Sequence, residues 1–214
     1  MNVKALVAEF IGTFMLIFIG AGAGAMGTGG LVGVAFAHGG VVLGGIYAFG
    51  HISGTHINPA VTFGMWVGKQ IGWATAVCYW IVQLMGGILG AFALRYFLGG
   101  VTTGLGATVL APAVSPMQGL LLEMILTFFL VNAIFNTAVS GKAGNLAPVA
   151  ISFTLIACIL MGAPLTGASL NPARTLGPAL ATGNFAHLWL YILGPMAGAA
   201  AAAWLFTGFL QPGE

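Results

Sequence analysis

The sequence predicts an all-α membrane protein with six transmembrane helices, two re-entrant half-helices and an inverted internal repeat. Hydrophobic residues make up 59% of the 214-residue chain, and charged residues only 4%. Six apolar stretches are long enough to cross a bilayer. Two shorter apolar segments each open with the same tripeptide, Asn-Pro-Ala. We therefore expect a single transmembrane domain over residues 1–214.

The composition excludes most soluble functions. A chain with so few charges cannot cover a globule with a water-compatible surface, so its natural solvent is lipid. The net charge of +2 is too small and too scattered for a nucleic-acid interface. Cys78 and Cys158 lie inside apolar runs without the spacing of metal ligands. The sequence accordingly predicts no metal site and no cofactor, and its expected surroundings are the lipid bilayer.

Each long apolar stretch is predicted to form one membrane-spanning helix, because a bilayer core ~30 Å thick needs about 20 apolar residues. The stretches lie near residues 4–24, 31–51, 73–98, 118–139, 146–163 and 187–210. The first is interrupted by Glu9 and is too long for a signal peptide, so we interpret it as the first helix. Six crossings put both termini on one side, and Lys4, Lys69 and Lys142 place that side in the cytoplasm. The short loops suggest a plasma-membrane protein.

The two short segments, residues 58–68 and 171–180, are predicted to be half-helices. Asn is a favoured N-cap and Pro is favoured at the first helical position, so each Asn-Pro-Ala marks a helix start. Gly-containing segments, residues 54–57 and 167–170, precede the two starts. Non-helical backbone at membrane depth is tolerated only where it is buried in protein or lines a water-filled cavity. The carbonyl groups expected to line such a cavity belong to Gly54, Thr55, His56, Gly167 and Ser169.

The two halves of the chain repeat one another. Glu9 is followed four residues later by Thr13-Phe14, and Glu123 is followed four residues later by Thr127-Phe128. The offset between the two sets is 123 minus 9, or 114 residues. The two Asn-Pro-Ala tripeptides are separated by 171 minus 58, or 113 residues. Each half, about 1–105 and 116–214, contains three crossings, and an odd number inverts the second half relative to the first. Inverted repeats of this kind place a transport site near the midplane.

If both loops fold inward, the two helix starts meet at the centre and present the amide groups of Asn58 and Asn171. A helix N-terminus carries roughly half a positive charge. A cation about 5 Å from both starts, at an effective dielectric of about 20, is repelled by about 3 kcal/mol. This arrangement predicts a passive pore that rejects cations and protons and passes neutral molecules with an oxygen acceptor.

Across nearly its whole length the sequence resembles the aquaporin, or major intrinsic protein, family. The resemblance is carried by residues 9–14 (Glu-Phe-Ile-Gly-Thr-Phe), residues 51–54 (His-Ile-Ser-Gly) and the motifs that begin at Asn58-Pro59-Ala60 and Asn171-Pro172-Ala173-Arg174. It implies a channel for water, with small neutral solutes such as ammonia or urea as further candidates. It also implies one pore in each subunit of a homotetramer.

In this family four positions outside the Asn pair set selectivity, and motif offsets place them at His38, Ile159, Ala168 and Arg174. The combination of His, Ile, a small residue and Arg is similar to plant tonoplast-type members. An Arg in an apolar segment costs about 2.5 to 3.5 kcal/mol by insertion scales, which favours a functional role for Arg174. Thr175 stands where glycerol channels usually have Asp, so a glycerol-facilitating channel is the second choice.

The other buried charges, Glu9 and Glu123, occupy repeat-related positions, which favours a structural role in bracing the re-entrant loops. Two functions of other classes are weaker alternatives. An intramembrane serine protease would need a nucleophile elbow, and neither Ser53 nor Ser169 has its flanking pattern. A coupled transporter would bury carboxylates for ion exchange, whereas these two glutamates sit at equivalent scaffold positions. We therefore expect a channel and not an enzyme.

Overall fold

The structure is a computed structural model that describes residues 2–211. Met1 and residues 212–214 lie outside it, and with them the ends of the predicted domain 1–214. Within the described residues every regular element is helical. In chain order the helices are α1 (Val3–Met26), α2 (Gly30–Ser53), α3 (Pro59–Val67), α4 (Trp73–Phe97), α5 (Pro116–Val139), α6 (Gly144–Thr166), α7 (Pro172–Thr182) and α8 (Leu190–Leu210).

Six of these helices are long and apolar enough to cross a membrane, as the sequence predicts. The remaining two, α3 and α7, have 9 and 11 residues. At 1.5 Å per residue they span roughly half of the ~30 Å bilayer core. Each starts at its Asn-Pro-Ala: Asn58 Oδ1 accepts a hydrogen bond from Ala60 N at 2.8 Å, and Asn171 Oδ1 accepts one from Ala173 N at 2.9 Å.

The packing of the helices repeats between the two halves. In the first half α1 packs against α4, and in the second half α5 packs against α8. The half-helices cross over, because α7 packs against α4 whereas α3 packs against α8. The remaining pair, α2 and α6, meets between the halves. Since each half contains three crossings, the repeat is inverted and both half-helices point their N-terminal ends to the middle of the bundle.

Glycines allow the paired helices to approach closely. A Cβ placed on Gly90 of α4 would lie 2.9 Å from the carbonyl oxygen of Phe14 in α1. In the second half, a Cβ on Gly194 of α8 would lie 2.8 Å from the carbonyl oxygen of Leu120 in α5. Such contacts are too short for any side chain. Gly86 and Gly90 in α4, and Gly194 and Gly198 in α8, thus form small-xxx-small pairs, which commonly allow helices to pack closely in membranes.

Two local features differ from the sequence-based expectation. The last crossing begins at Leu190 rather than near residue 187, because His187 adopts a φ of 57° and belongs to a turn. The first crossing contains one wide, π-helical segment, Leu16–Ala21. A sequence in which nearly every position is apolar does not reveal a π-helical segment, because the segment shifts the helix face by only one residue.

Candidate functional site

The N-terminal ends of the two half-helices are joined by a reciprocal pair of hydrogen bonds. Asn58 Nδ2 donates to the carbonyl oxygen of Leu170 at 2.9 Å, and Asn171 Nδ2 donates to the carbonyl oxygen of Ile57 at 3.0 Å. Each amide nitrogen carries two hydrogens, so one hydrogen of each Asn is used in this pair. The second amide hydrogen is left for whatever occupies the centre.

The loops before the half-helices have an unusual backbone. Thr55 and Ile57 have φ angles of 49° and 42°, and Ala168 and Leu170 have φ angles of 44° and 54°. Left-handed conformations at residues other than Gly cost on the order of 1 to 3 kcal/mol each, and they persist only where surrounding contacts fix them. The same residues are strained in both repeats, which shows that the strain belongs to the architecture.

The contacts that fix the first loop come from Glu9 of α1, which is fully buried. Its Oε1 accepts hydrogen bonds from Ser53 Oγ at 2.7 Å and from His56 N at 2.8 Å. Its Oε2 accepts hydrogen bonds from Ile57 N at 2.6 Å and from Gln83 Nε2 at 2.8 Å. One carboxylate thus satisfies two backbone N–H groups that the strained loop leaves without a helical partner.

Glu123 of α5 makes the equivalent contacts with the second loop. Its Oε1 accepts from Thr166 Oγ1 at 2.7 Å and from Ser169 N at 2.9 Å, and its Oε2 accepts from Leu170 N at 2.8 Å. Each glutamate thus accepts two backbone N–H groups of the loop that precedes a half-helix. A backbone that turns its N–H groups toward a carboxylate turns neighbouring carbonyl groups to the opposite side.

A cavity of about 230 Å³ runs past the meeting point of the half-helices. The four predicted selectivity residues all line it, as do both Asn side chains. The predicted loop residues that line it are Gly54, Thr55, His56 and Ser169. Gly167 instead abuts Thr108, whose Cα would lie 2.9 Å from a Cβ at that position. The Pro and Ala residues of both motifs, Pro59, Ala60, Pro172 and Ala173, are buried within the helix starts.

His38 and Arg174 contact each other in the wall of this cavity. Arg174 Nε donates to His38 Nε2 at 3.1 Å, and His38 Nδ1 bonds the carbonyl oxygen of Val34 at 2.9 Å. A carbonyl oxygen only accepts, so Nδ1 carries a hydrogen. Nε2 accepts from Arg174 and therefore carries none, so the imidazole is neutral. Among residues 2–211, nothing accepts a hydrogen bond from the buried Nη1 of Arg174.

Three of the four positions related by the repeat to the selectivity residues are apolar. An offset of 113 residues, the separation of the two Asn residues, relates each selectivity position to a residue of the other repeat. The related residues are Ile151, Ile46, Thr55 and Val61, and all four line the same cavity. Thr55 Oγ1 donates to the carbonyl oxygen of Gly45 at 3.2 Å, so even its hydroxyl hydrogen is used. The fold is thus nearly symmetric, whereas the polar pair of His38 and Arg174 is matched in the other repeat by the apolar Ile151 and Val61.

Comparison with known proteins agrees with this architecture. Residues 1–206 match the family model described as major intrinsic protein. The chain belongs to the major intrinsic protein family. It is 39% identical to aquaporin TIP2-3 of Zea mays, over 96% of this chain and 87% of the relative. It is 40% identical to the probable aquaporin TIP2-1 of Oryza sativa subsp. japonica, over 99% of this chain and 91% of the relative.

The fold has a solved counterpart in the aquaglyceroporin from Plasmodium falciparum. The two structures superpose with a TM-score of 0.86 at 24% sequence identity, over 98% of this chain and 97% of the other. At that identity the likeness shows the fold alone. Members of the major intrinsic protein family are passive channels, so this chain is a multi-pass membrane channel and not an enzyme. The plasma-membrane location suggested by the sequence finds no support in these relatives, which are TIP aquaporins.

Sequence reasoning missed several residues that hold the loops. Gln83 bridges Glu9 and Thr62, with 2.8 Å from its Nε2 to the Oγ1 of Thr62. Tyr191 holds the second loop, because its Oη donates to the carbonyl oxygen of Thr166 at 2.6 Å, and Tyr79 makes the equivalent bond to the carbonyl oxygen of Ser53 at 2.8 Å. The match of Tyr79 with Tyr191, 112 residues apart, could have identified both, whereas the same offset relates Gln83 to Pro195 and gave no signal.

A second group that the sequence did not reveal is a chain of hydroxyl groups beside the second half-helix. Thr175 Oγ1 lies 2.7 Å from Ser169 Oγ and 2.8 Å from Thr108 Oγ1. Thr175 and Thr62 are related by the repeat offset, and this match could have identified them. Thr108 lies in the connection between α4 and α5, where no pattern marks it. Because Ser169 Oγ is held by Thr175 and by the carbonyl oxygen of Asn171 at 2.8 Å, it has no nucleophile-like environment.

Proposed function

We propose that this channel conducts water, together with small neutral solutes such as ammonia or urea, and excludes protons and ions. The observation that carries the proposal is the reciprocal pair of hydrogen bonds between the half-helix starts. It fixes two amide donors on the two sides of one point in the cavity. A single water oxygen has two lone pairs, and Asn58 and Asn171 together offer one free hydrogen to each.

The exclusion of protons follows from this geometry. A water molecule whose two lone pairs are both engaged by the Asn amides cannot accept a hydrogen bond from a neighbouring water. Its hydrogens donate outward in both directions, toward the carbonyl groups of the two loops. Proton transfer along a water chain needs each oxygen to accept in turn, so the chain is interrupted at the centre. The fields of the two helix N-termini add about 3 kcal/mol of repulsion for a cation at that point.

The ring formed by His38, Ile159, Ala168 and Arg174 is proposed to select among neutral solutes. Arg174 supplies donors and a positive charge, while Ile159 and Ala168 leave the facing wall apolar and without hydrogen bonds. A passing molecule therefore finds donors on one side only, which suits water, ammonia and urea. Glycerol is not favoured, because the relatives that show the family are named aquaporins of the TIP type.

The proposal also covers the domain bounds, the membrane topology and the oligomeric state. We propose one channel domain over residues 1–214, with repeats over about 1–105 and 116–214. Both termini are placed in the cytoplasm, because Lys4, Lys69 and Lys142 are all exposed at the ends of helices that face one side. A homotetramer is proposed from membership of the family. The cavity lies within a single chain, so each subunit would conduct by itself.

The solute preference is tested by stopped-flow light scattering on proteoliposomes, with water, urea and glycerol as permeants. Ile159→His adds a polar ring to the apolar wall and should reduce urea flux by about tenfold while water still passes. Ile159→Leu conserves volume and apolarity and serves as the matched control, with fluxes like those of the wild type. Equal urea flux in all three proteins would show that the ring does not determine urea selectivity.

A further inference from the structure

Gly20 lies directly behind the ring of His38. It belongs to the π-helical segment Leu16–Ala21 of α1 and is buried. A Cβ built at this position would lie 2.7 Å from Cδ2 and 2.9 Å from Nε2 of His38. Real Cβ atoms do not approach other heavy atoms so closely, so no side chain fits between α1 and the imidazole as it now stands.

Hydrogen bonds at both ring nitrogens restrain the imidazole of His38. Its Nδ1 is held by the carbonyl oxygen of Val34 and its Nε2 by Nε of Arg174. His38 also lines the cavity. A methyl group at residue 20 would therefore push the ring toward the cavity and stretch its bond to Arg174.

The second repeat has no glycine and no imidazole at the positions that match in sequence. The offset of 114 relates Gly20 to Ile134, and the offset of 113 relates His38 to Ile151. Both isoleucines line the cavity. The close contact of a glycine with an imidazole is therefore a feature of the first repeat.

We propose that Gly20 is a positioning residue of the selectivity ring. Its missing side chain sets how far His38 stands back from the cavity and thereby holds Arg174 to one side. The inference rests on the proposed function, because it concerns the ring through which the neutral solutes pass. Gly20 itself does not line the cavity; it acts only through the imidazole.

The test compares Gly20→Ala with Gly24→Ala in proteoliposomes by stopped-flow light scattering. Gly24 lies in the same helix, and a Cβ there would meet its nearest neighbours at the ordinary distances of 3.7 and 3.9 Å. Gly20→Ala should lower water flux per folded channel about tenfold, about 1.4 kcal/mol in the barrier. Urea flux should fall further, because urea is the wider molecule. Gly24→Ala should match the wild type.

A double-mutant cycle with His38→Ala separates positioning from general packing. Without the imidazole the added methyl group has space, so Gly20→Ala should change neither water nor urea flux in the His38→Ala background. If Gly20→Ala fails to fold, rescue of folding by His38→Ala supports the same role. The inference is overturned if Gly20→Ala conducts like the wild type, or if it does equal damage in both backgrounds. Wild-type protein without water flux would instead refute the proposed function.

Discussion

Arg174 Nε and His38 Nε2 are joined by a hydrogen bond of 3.1 Å that ties the start of the half-helix α7 to the transmembrane helix α2. The bond spans 136 residues of sequence. It holds the guanidinium at the wall of the cavity, which both residues line. The two residues therefore act as one unit, and changing either should alter the other.

His38→Ala should widen the ring and free Arg174 from its partner. We expect urea flux to rise about tenfold relative to water flux, because the imidazole both narrows the ring and restrains the guanidinium. Stopped-flow light scattering on proteoliposomes measures both rates. His51→Ala, at the exposed end of the same helix, is the control and should leave both unchanged. An unchanged ratio of urea to water flux in His38→Ala would mean that the ring does not limit solutes.

Arg174→Val places at the ring the residue type that the other repeat has at Val61. Water flux should persist, whereas proton leak should rise several-fold, because the fixed positive charge no longer adds to the repulsion of the helix starts. A pH-sensitive dye inside the liposomes records the leak. Arg174→Lys keeps the charge but loses the planar guanidinium, so it should retain proton exclusion. Proton leak of equal size in both variants would show that the charge is not the relevant property.

Glu123→Gln should destabilise the second re-entrant loop. A glutamine oxygen can accept from only part of the donor set formed by Thr166, Ser169 and Leu170, and its NH₂ group faces donors. A buried N–H left unsatisfied costs about 1 to 3 kcal/mol. For a chain of this size we expect a decrease of about 2 to 12 °C in the thermal midpoint in detergent. Lys142→Gln also removes a charge, but an exposed one. Its thermal midpoint should equal that of the wild type.

Gly198→Ala tests the close packing of α8 on α5. A Cβ at Gly198 would fall on the carbonyl oxygen of Met124 and within 2.9 Å of Phe128 N. Overpacking of this kind costs about 1 to 3 kcal/mol, so the thermal midpoint should drop by several degrees. Gly208 lies in the same helix with nothing within 4 Å of its Cβ position. Ala has a higher helix propensity than Gly, so Gly208→Ala should unfold at or slightly above the wild-type midpoint. Equal destabilisation by Gly208→Ala and Gly198→Ala would show that the close contact at Gly198 is not the cause.

The sequence predicts the fold well because lipid imposes simple rules. Long apolar stretches must be helices, and the two short ones that open with Asn-Pro-Ala could only re-enter. The repeat then assigned partners: Glu9 and Glu123 were expected at the loops, and the structure places both carboxylates there. The meeting of the helix starts follows from the inversion of the two halves.

What the sequence could not predict depends on contacts between distant segments that lack a repeat signal. Gln83 contacts Glu9 and Thr62, but the related residue of the second repeat is Pro195. Thr108 reaches the second loop from a connection without periodicity. The proximity of Gly20 to His38 depends on a π-helical segment, which leaves no trace in an apolar sequence. Each of these contacts is visible only when the helices are packed.

The most direct test of the central claim measures water flux and proton leak in the same proteoliposomes containing the wild-type chain. We expect water flux well above that of empty liposomes and a proton leak no larger than theirs. The reason is that the Asn58 and Asn171 amides let a water molecule pass while they interrupt the proton path. Water flux no faster than that of empty liposomes, in protein shown to be folded, would contradict the claim. Fast water flux accompanied by an equally clear proton leak would contradict the role assigned to the Asn pair.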